Sequence, residues 1–141
     1  MSVLQDSIVR EQLRDAWNDS QPGTPDAHEE GGFILQMEDG SLTVCRWPRG
    51  QKDEIEVPDH LQGKYQGRTI LATFHTHPNP APEYLQEPGL TDIRAVRDDP
   101  DLKHPEYEGE FVISMEEVWF IDPDGVAGAL GSRVGVLGGE P

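Results

Sequence analysis

Two histidines two residues apart, His75-Thr76-His77, stand just before Pro78 and close the apolar run 69–74 (TILATF), a β-rich segment of the kind that forms a buried strand. Residues two apart on a strand point to one face, so the two imidazoles, roughly 7 Å apart at Cβ, can converge on one cation. A borderline metal such as zinc accepts neutral imidazole nitrogen readily. Cys45 is the only cysteine, which leaves no internal disulfide, no cysteine-rich zinc knuckle and no CxxC redox pair. A metal in this chain must therefore be held by histidine and carboxylate. Thr91-Asp92 begins a stretch that reads as a helix, with Thr91 as N-cap and Ile93 and Val96 facing inward. Asp92 then lies in the first helical turn, where a carboxylate also has an ordinary role against the helix dipole. His28-Glu29-Glu30-Gly31-Gly32 leads into Phe33-Ile34-Leu35. Glycines that open a strand mark close backbone approach or a bulge that aims a neighbouring side chain, and Glu29 or Glu30 would be that side chain. Two histidines and one carboxylate leave the fourth tetrahedral position to water, the form of a catalytic rather than a structural site. Such a site also needs a proton shuttle that is not itself a ligand, and a glutamate from the first strand can supply it.

The elements that must position these groups follow from pattern. Val3, Leu4, Ile8, Val9, Leu13, Ala16 and Trp17 recur at helical spacings and predict an amphipathic helix over about residues 3–18, ended by the breaker-rich 18–25 (NDSQPGTP). Asp39-Gly40 between two β-capable runs predicts a hairpin whose second strand spans 41–47 and contains Cys45. Residues 54–57 alternate charged and apolar as an edge strand does, and 59–66 read as a short helix or an irregular crossover. The proline-rich 78–89 is expected as a surface loop over the site, and 98–105 as a second loop. Strands are expected over 110–115 and 118–121, a turn at Pro123-Asp124-Gly125, and a further strand over 134–137. Trp47 and Trp119 read as core or edge aromatics, Cys45 as packed, and His60 and His104 as loop residues away from the metal. The glycine-rich Leu137-Gly138-Gly139 resembles a ubiquitin-like tail, but reads as the start of a frayed end.

At 141 residues the chain fits one domain with its own core. We divide it into an N-terminal helix and loop (1–25), a main domain (26–138) and a frayed tail (139–141). The formal charge of −16 argues against a nucleic-acid partner, which clustered Lys and Arg would have to hold, and would steer a basic protein surface toward this one. The first residues lack a basic, apolar leader and no run approaches the roughly 20 apolar residues of a membrane helix. The expectation is a cytoplasmic protein with no membrane association.

Together these motifs resemble the JAB/MPN (JAMM) metalloprotease family, from about Glu29 to Ile121. The family's signature is a glutamate before a small-Gly-aliphatic strand, then HxHP, then a serine three residues before an aspartate. EEGGFIL, FHTHP and GLTD are similar to its three parts. The resemblance implies an α/β fold, a single MPN-like (cytidine-deaminase-like) mixed β-sheet flanked by helices. It implies one Zn2+ per chain, bound by His75, His77 and Asp92, with Glu29 as general base and then acid; Glu30 is the runner-up, one register position away. It further implies hydrolysis of a peptide or isopeptide bond without an acyl-enzyme, with a ubiquitin-like protein or its conjugate as partner. Small stand-alone bacterial relatives occur beside ubiquitin-like conjugation genes, some linked to phage defence. An extended Gly-Gly tail would lie along a strand edge, walled by the loop 78–89. Gly89 stands where the family carries the serine that helps hold the tetrahedral intermediate. Losing one such donor costs on the order of 2.7–4 kcal/mol unless Thr91, a backbone N–H or water replaces it.

Overall fold

The N-terminal stripe folds as a 3-10 turn, Val3–Gln5, and helix α1, Ser7–Asp19. Asp6 starts α1 by accepting the N–H groups of Ile8 and Val9 at 2.8 and 3.1 Å. Val9, Leu13, Ala16 and Trp17 are buried against the sheet, so this segment belongs to the main core. The computed structural model describes residues 2–139; of the tail expected at 139–141, residues 140 and 141 lie outside the described residues.

Seven strands form one mixed sheet: β1 Gly31–Gln36, β2 Leu42–Arg46, β3 Lys64–Tyr65, β4 Arg68–Thr76, β5 Glu110–Ile113, β6 Glu117–Ile121 and β7 Ala127–Ser132. The order is β2-β1-β4-β5-β6-β7, with β3 paired to the start of β4. Every pairing is antiparallel except β4 with β5. A parallel pair needs a crossover, and the crossover from β4 to β5 carries the proline-rich loop and helix α2, Leu90–Arg97. That connection delivers α2 to the carboxyl end of β4, where open α/β sheets place ligands.

Alternation along the strands divides the core in two. Ile34, Ala72, Phe74, Phe111 and Ile113 pack with α1 and with Leu137 of the short helix α3, Arg133–Leu137. Phe33, Leu35, Ile70 and Val112 pack on the opposite face with Val96 of α2, Leu102 and Tyr107. The result is a single α/β domain, a mixed sheet with helices on both faces. A bulge keeps the faces in register: Ile34 pairs with Ala72 but Leu35 with Ile70, so Leu71 is the extra residue and joins Ala72 on the α1 side.

Four local expectations need correction. Residues 54–57 pair with no strand; they run as an unpaired strap, with Ile55 packed on the second cluster. Residues 59–66 hold no helix, and end instead in a hairpin whose turn residues Gln66 (φ 51°) and Gly67 (φ 80°) both adopt the left-handed region that a two-residue turn requires. Residues 133–137 are helical rather than a strand, because the Ser132 hydroxyl accepts the Gly135 N–H at 3.0 Å and caps the turn; the last strand is β7 just before it. Thr91 is not the cap of α2: Gly89 is.

Candidate metal centre

His75 and His77 close β4. His75 lies in the ladder between Gly31 of β1 and Val112 of β5, and His77 continues it by donating its N–H to the Ile113 carbonyl at 2.7 Å. Both side chains are buried. Asp92, the third residue of α2, accepts the Gly89 N–H through Oδ2 at 2.9 Å, which fixes its carboxylate at the helix start. Three donor groups then meet: the two Nε2 atoms are 3.2 Å apart, Asp92 Oδ1 lies 3.3 Å from His75 Nε2, and Asp92 Oδ2 lies 3.3 Å from His77 Nε2. Tetrahedral coordination with bonds of about 2.0–2.1 Å sets ligand atoms about 3.3 Å apart, so separations of this size suit a metal-binding face. Among the described residues it is the one such grouping of histidine and carboxylate.

The opposite ring nitrogens are equally determined. His75 Nδ1 faces Glu110 Oε2 at 3.1 Å, and His77 Nδ1 faces the Gln86 carbonyl at 3.2 Å. Each partner is an acceptor, and the Asp92 carboxylate is an acceptor facing both Nε2 atoms; with a cation at the common point each Nδ1 would keep its proton against its own partner and each Nε2 would be free to ligate, the tautomer a metal ligand needs. Burial pulls the His75 pKa down, yet Glu110 and Asp92 outweigh it and raise it well above the ordinary value. Burial pushes Asp92 up, but its hydrogen bonds to His75 and His77 prevail and hold its carboxyl well below the usual carboxylate range. The pocket thus favours positive charge. A buried triad of His75, His77 and Asp92 able to bind a metal ion is what the geometry provides.

Glu29 and Glu30 part company. Successive strand residues face opposite sides of a sheet, and Glu30 turns toward α1, bound to His28 Nε2 at 2.6 Å and to Arg46 Nη2 at 2.7 Å. Glu29 lies on the histidine side. Its backbone is clamped by the segment that leads into the strap, its N–H donating to Gln51 O at 2.8 Å and its carbonyl accepting Gly50 N–H at 2.9 Å. Burial raises its carboxyl to about 7, partly offset by the attraction of His75 and His77, while Asp92 and Asp53 add to the rise. Glu29 is thus a buried carboxylate in the field of the triad and with no internal hydrogen-bond partner among the described residues.

Gly89 contributes its backbone N–H to Asp92 and no side chain to the site; Thr91 is exposed in the first turn of α2. His60 and His104 are kept elsewhere, His60 by Asp99 at 2.7 Å and His104 by the Ile70 carbonyl at 2.8 Å. Cys45 is partly buried against the second cluster, and Trp47 packs edge-on to Phe33 at 5.3 Å. Trp119 donates to Ser114 Oγ at 3.3 Å. Sequence reasoning missed Glu110 and Gln86. A charge opening the apolar strand EFVI was the available signal for Glu110; nothing in the residues around Gln86 distinguishes it. Comparison of the chain with protein-family models, with curated proteins and with solved structures gives no match.

Proposed function

We propose that the chain is a zinc-dependent isopeptidase or peptidase of the JAB/MPN type that removes a ubiquitin-like protein from conjugates or processes its precursor. The observation that carries this reading is the donor cluster, with separations of 3.2, 3.3 and 3.3 Å, formed by two Nε2-presenting histidines and one carboxylate. His75, His77 and Asp92 would hold one Zn2+, and the set fits zinc because imidazole and carboxylate are both among its ordinary ligands. When bound, the metal supplies Lewis acidity, which activates a water and polarises a carbonyl. Glu29 does the proton work. A carboxyl raised to about 7 is matched to taking a proton from the attacking water near neutral pH and returning it to the leaving amine. Glu110 and the Gln86 carbonyl keep the imidazoles oriented through the cycle. The segment 51–57, which includes the strap, and the loop 78–89 are tied across by the Asn79 side chain, which donates to Lys52 O at 2.7 Å, and they offer the walls between which an extended tail would lie.

A second reading, a weakly active or inactive module that binds a ubiquitin-like partner, is favoured by Gly89, which brings no hydroxyl where the family has a serine. One assay separates them: cleavage of a ubiquitin-like protein joined to a lysine side chain, in the presence of zinc. Wild type is expected to cleave and Glu29→Gln to lose about 10²- to 10⁴-fold. Gly89→Ser is expected to raise turnover, since a Cβ at 89 would meet only Leu85 Cδ1 at 3.3 Å and Asp92 Oδ2 at 3.7 Å, in an extended backbone that any residue adopts. Absence of cleavage by wild type and Gly89→Ser alike, with partner affinity retained, would select the binding module.

A further inference from the structure

Gln86 sits mid-loop in the crossover, half-buried, with both polar atoms of its side chain engaged. Its Nε2 donates to Asn79 O at 2.6 Å and to Tyr84 O at 3.2 Å, and its Oε1 accepts the Met115 N–H at 3.2 Å. The amide orientation is set by these partners, because a flipped amide would face two carbonyls with an oxygen and an N–H with a nitrogen. One side chain thereby joins the start of the loop, its middle, and the segment just beyond β5. The same residue's backbone carbonyl is the acceptor for His77 Nδ1. His75 has a buried carboxylate for this purpose, whereas His77 depends on a loop carbonyl whose position nothing in a strand or helix fixes.

We infer that Gln86 is a positioning residue for His77: its side-chain amide latches the crossover loop so that its own carbonyl accepts the Nδ1–H and fixes the ring, and Nε2 is thereby kept presented to the metal site. The reason for an amide at 86 is its combination of two donated hydrogen bonds and one accepted. A glutamate of the same shape keeps the acceptor for Met115 but sets an oxygen against the carbonyls of Asn79 and Tyr84, so it releases the latch without creating a void. An asparagine keeps the chemistry but is one methylene too short to span the three groups. The consequence extends to the loop tip, where exposed Glu83 and Leu85 lie between two latched points.

The test has two arms, of which only the second rests on the proposed metal site. First, ring ¹⁵N chemical shifts and the exchange of ring N–H protons are measured for the five histidines in metal-free wild type, Gln86→Glu and Gln86→Asn under identical conditions. Wild-type His77 is expected to show a hydrogen-bonded Nδ1–H protected from exchange and both variants to lose that protection with a changed Nδ1 shift, with His60 and His104 unchanged as internal reporters of folding. Second, Zn2+ affinity is measured by chelator competition, with a loss of about 10-fold or more expected in both variants, the size found for removing partners that orient metal-bound histidines. Unchanged His77 shifts in a folded variant, or affinities within about twofold of wild type, overturn the inference. A wild type that binds no zinc sinks the metal site but leaves the first arm intact. A Gln86→Glu protein that fails to fold is replaced by Gln86→Asn, read by the same chemical shifts.

Discussion

Glu29 is a buried carboxylate that the metal-free fold tolerates at a cost. Its pKa is about 7 in the folded chain against an ordinary 4.5, chiefly through burial. The folded state therefore binds this proton more tightly than the unfolded state, and stability falls as pH rises from 4.5 through 7. Metal-free Glu29→Gln, which cannot ionise, is expected to exceed wild type by about 2–3 kcal/mol at pH 8, because a tenfold difference in proton affinity between the folded and unfolded chains is worth roughly 1.4 kcal/mol; the gap closes as pH falls toward about 4.5. Urea unfolding at several pH values, with chelator present, checks this; a pH-independent difference would contradict it. A group that weakens the fold while facing two imidazoles and Asp92 is the kind of residue retained for chemistry. At this scale the sequence was informative where chemistry is local: His75-Thr76-His77 shares a face by strand geometry alone. Glu110 and Gln86 escaped notice because they act through space, 35 and 9 residues from the rings they orient.

The elements bring these residues together through one crossover and one close strand pair. Gly31 pairs with His75, and a Cβ at Gly31 would fall 2.5 Å from Trp47 Cε3 and 2.7 Å from Phe74 O. Only a residue without a side chain lets β1 pack under Trp47 and carry Glu29 to the histidine side. Gly31→Ala is expected to destabilise the domain by about 1–3 kcal/mol, as overpacking of a close-packed core does, and to weaken metal binding as β1 moves. Equilibrium unfolding measures the first effect; a change below about 0.5 kcal/mol, within the range of an ordinary surface substitution, would show that Trp47 swings away freely. Strands β1, β2 and β4 were legible because their apolar runs and the Asp39-Gly40 turn are local signals. β7 was not, since AGALGS is small and exposed along an edge and owes its pairing to β6 rather than to its own propensity. The following RVGVL has β-branched residues yet is helical, because a capping serine and its packing on α1 override propensity over so short a segment.

At the scale of the whole molecule, a chain of formal charge −16 gathers Glu29, Asp92 and Glu110 around two buried imidazoles. Three carboxylates gathered around two imidazoles form an environment that a divalent cation relieves, and no buried lysine or arginine among the described residues takes that place. No helix among the described residues is long and apolar enough to cross a membrane. Assembly of the site needs the full architecture: the segment entering β1 for Glu29, β4 and the residue after it for the histidines, β5 for Glu110, and the crossover for Gln86 and Asp92. The most direct measurement is a titration of metal-free protein with Zn2+ followed by calorimetry, run beside Asp92→Ala. One equivalent bound tightly by wild type, weakened by at least about 100-fold in Asp92→Ala, is the predicted result. A folded wild type that takes up no zinc, or an Asp92→Ala protein that binds it as well as wild type, would contradict the assignment of His75, His77 and Asp92 as the metal-binding triad.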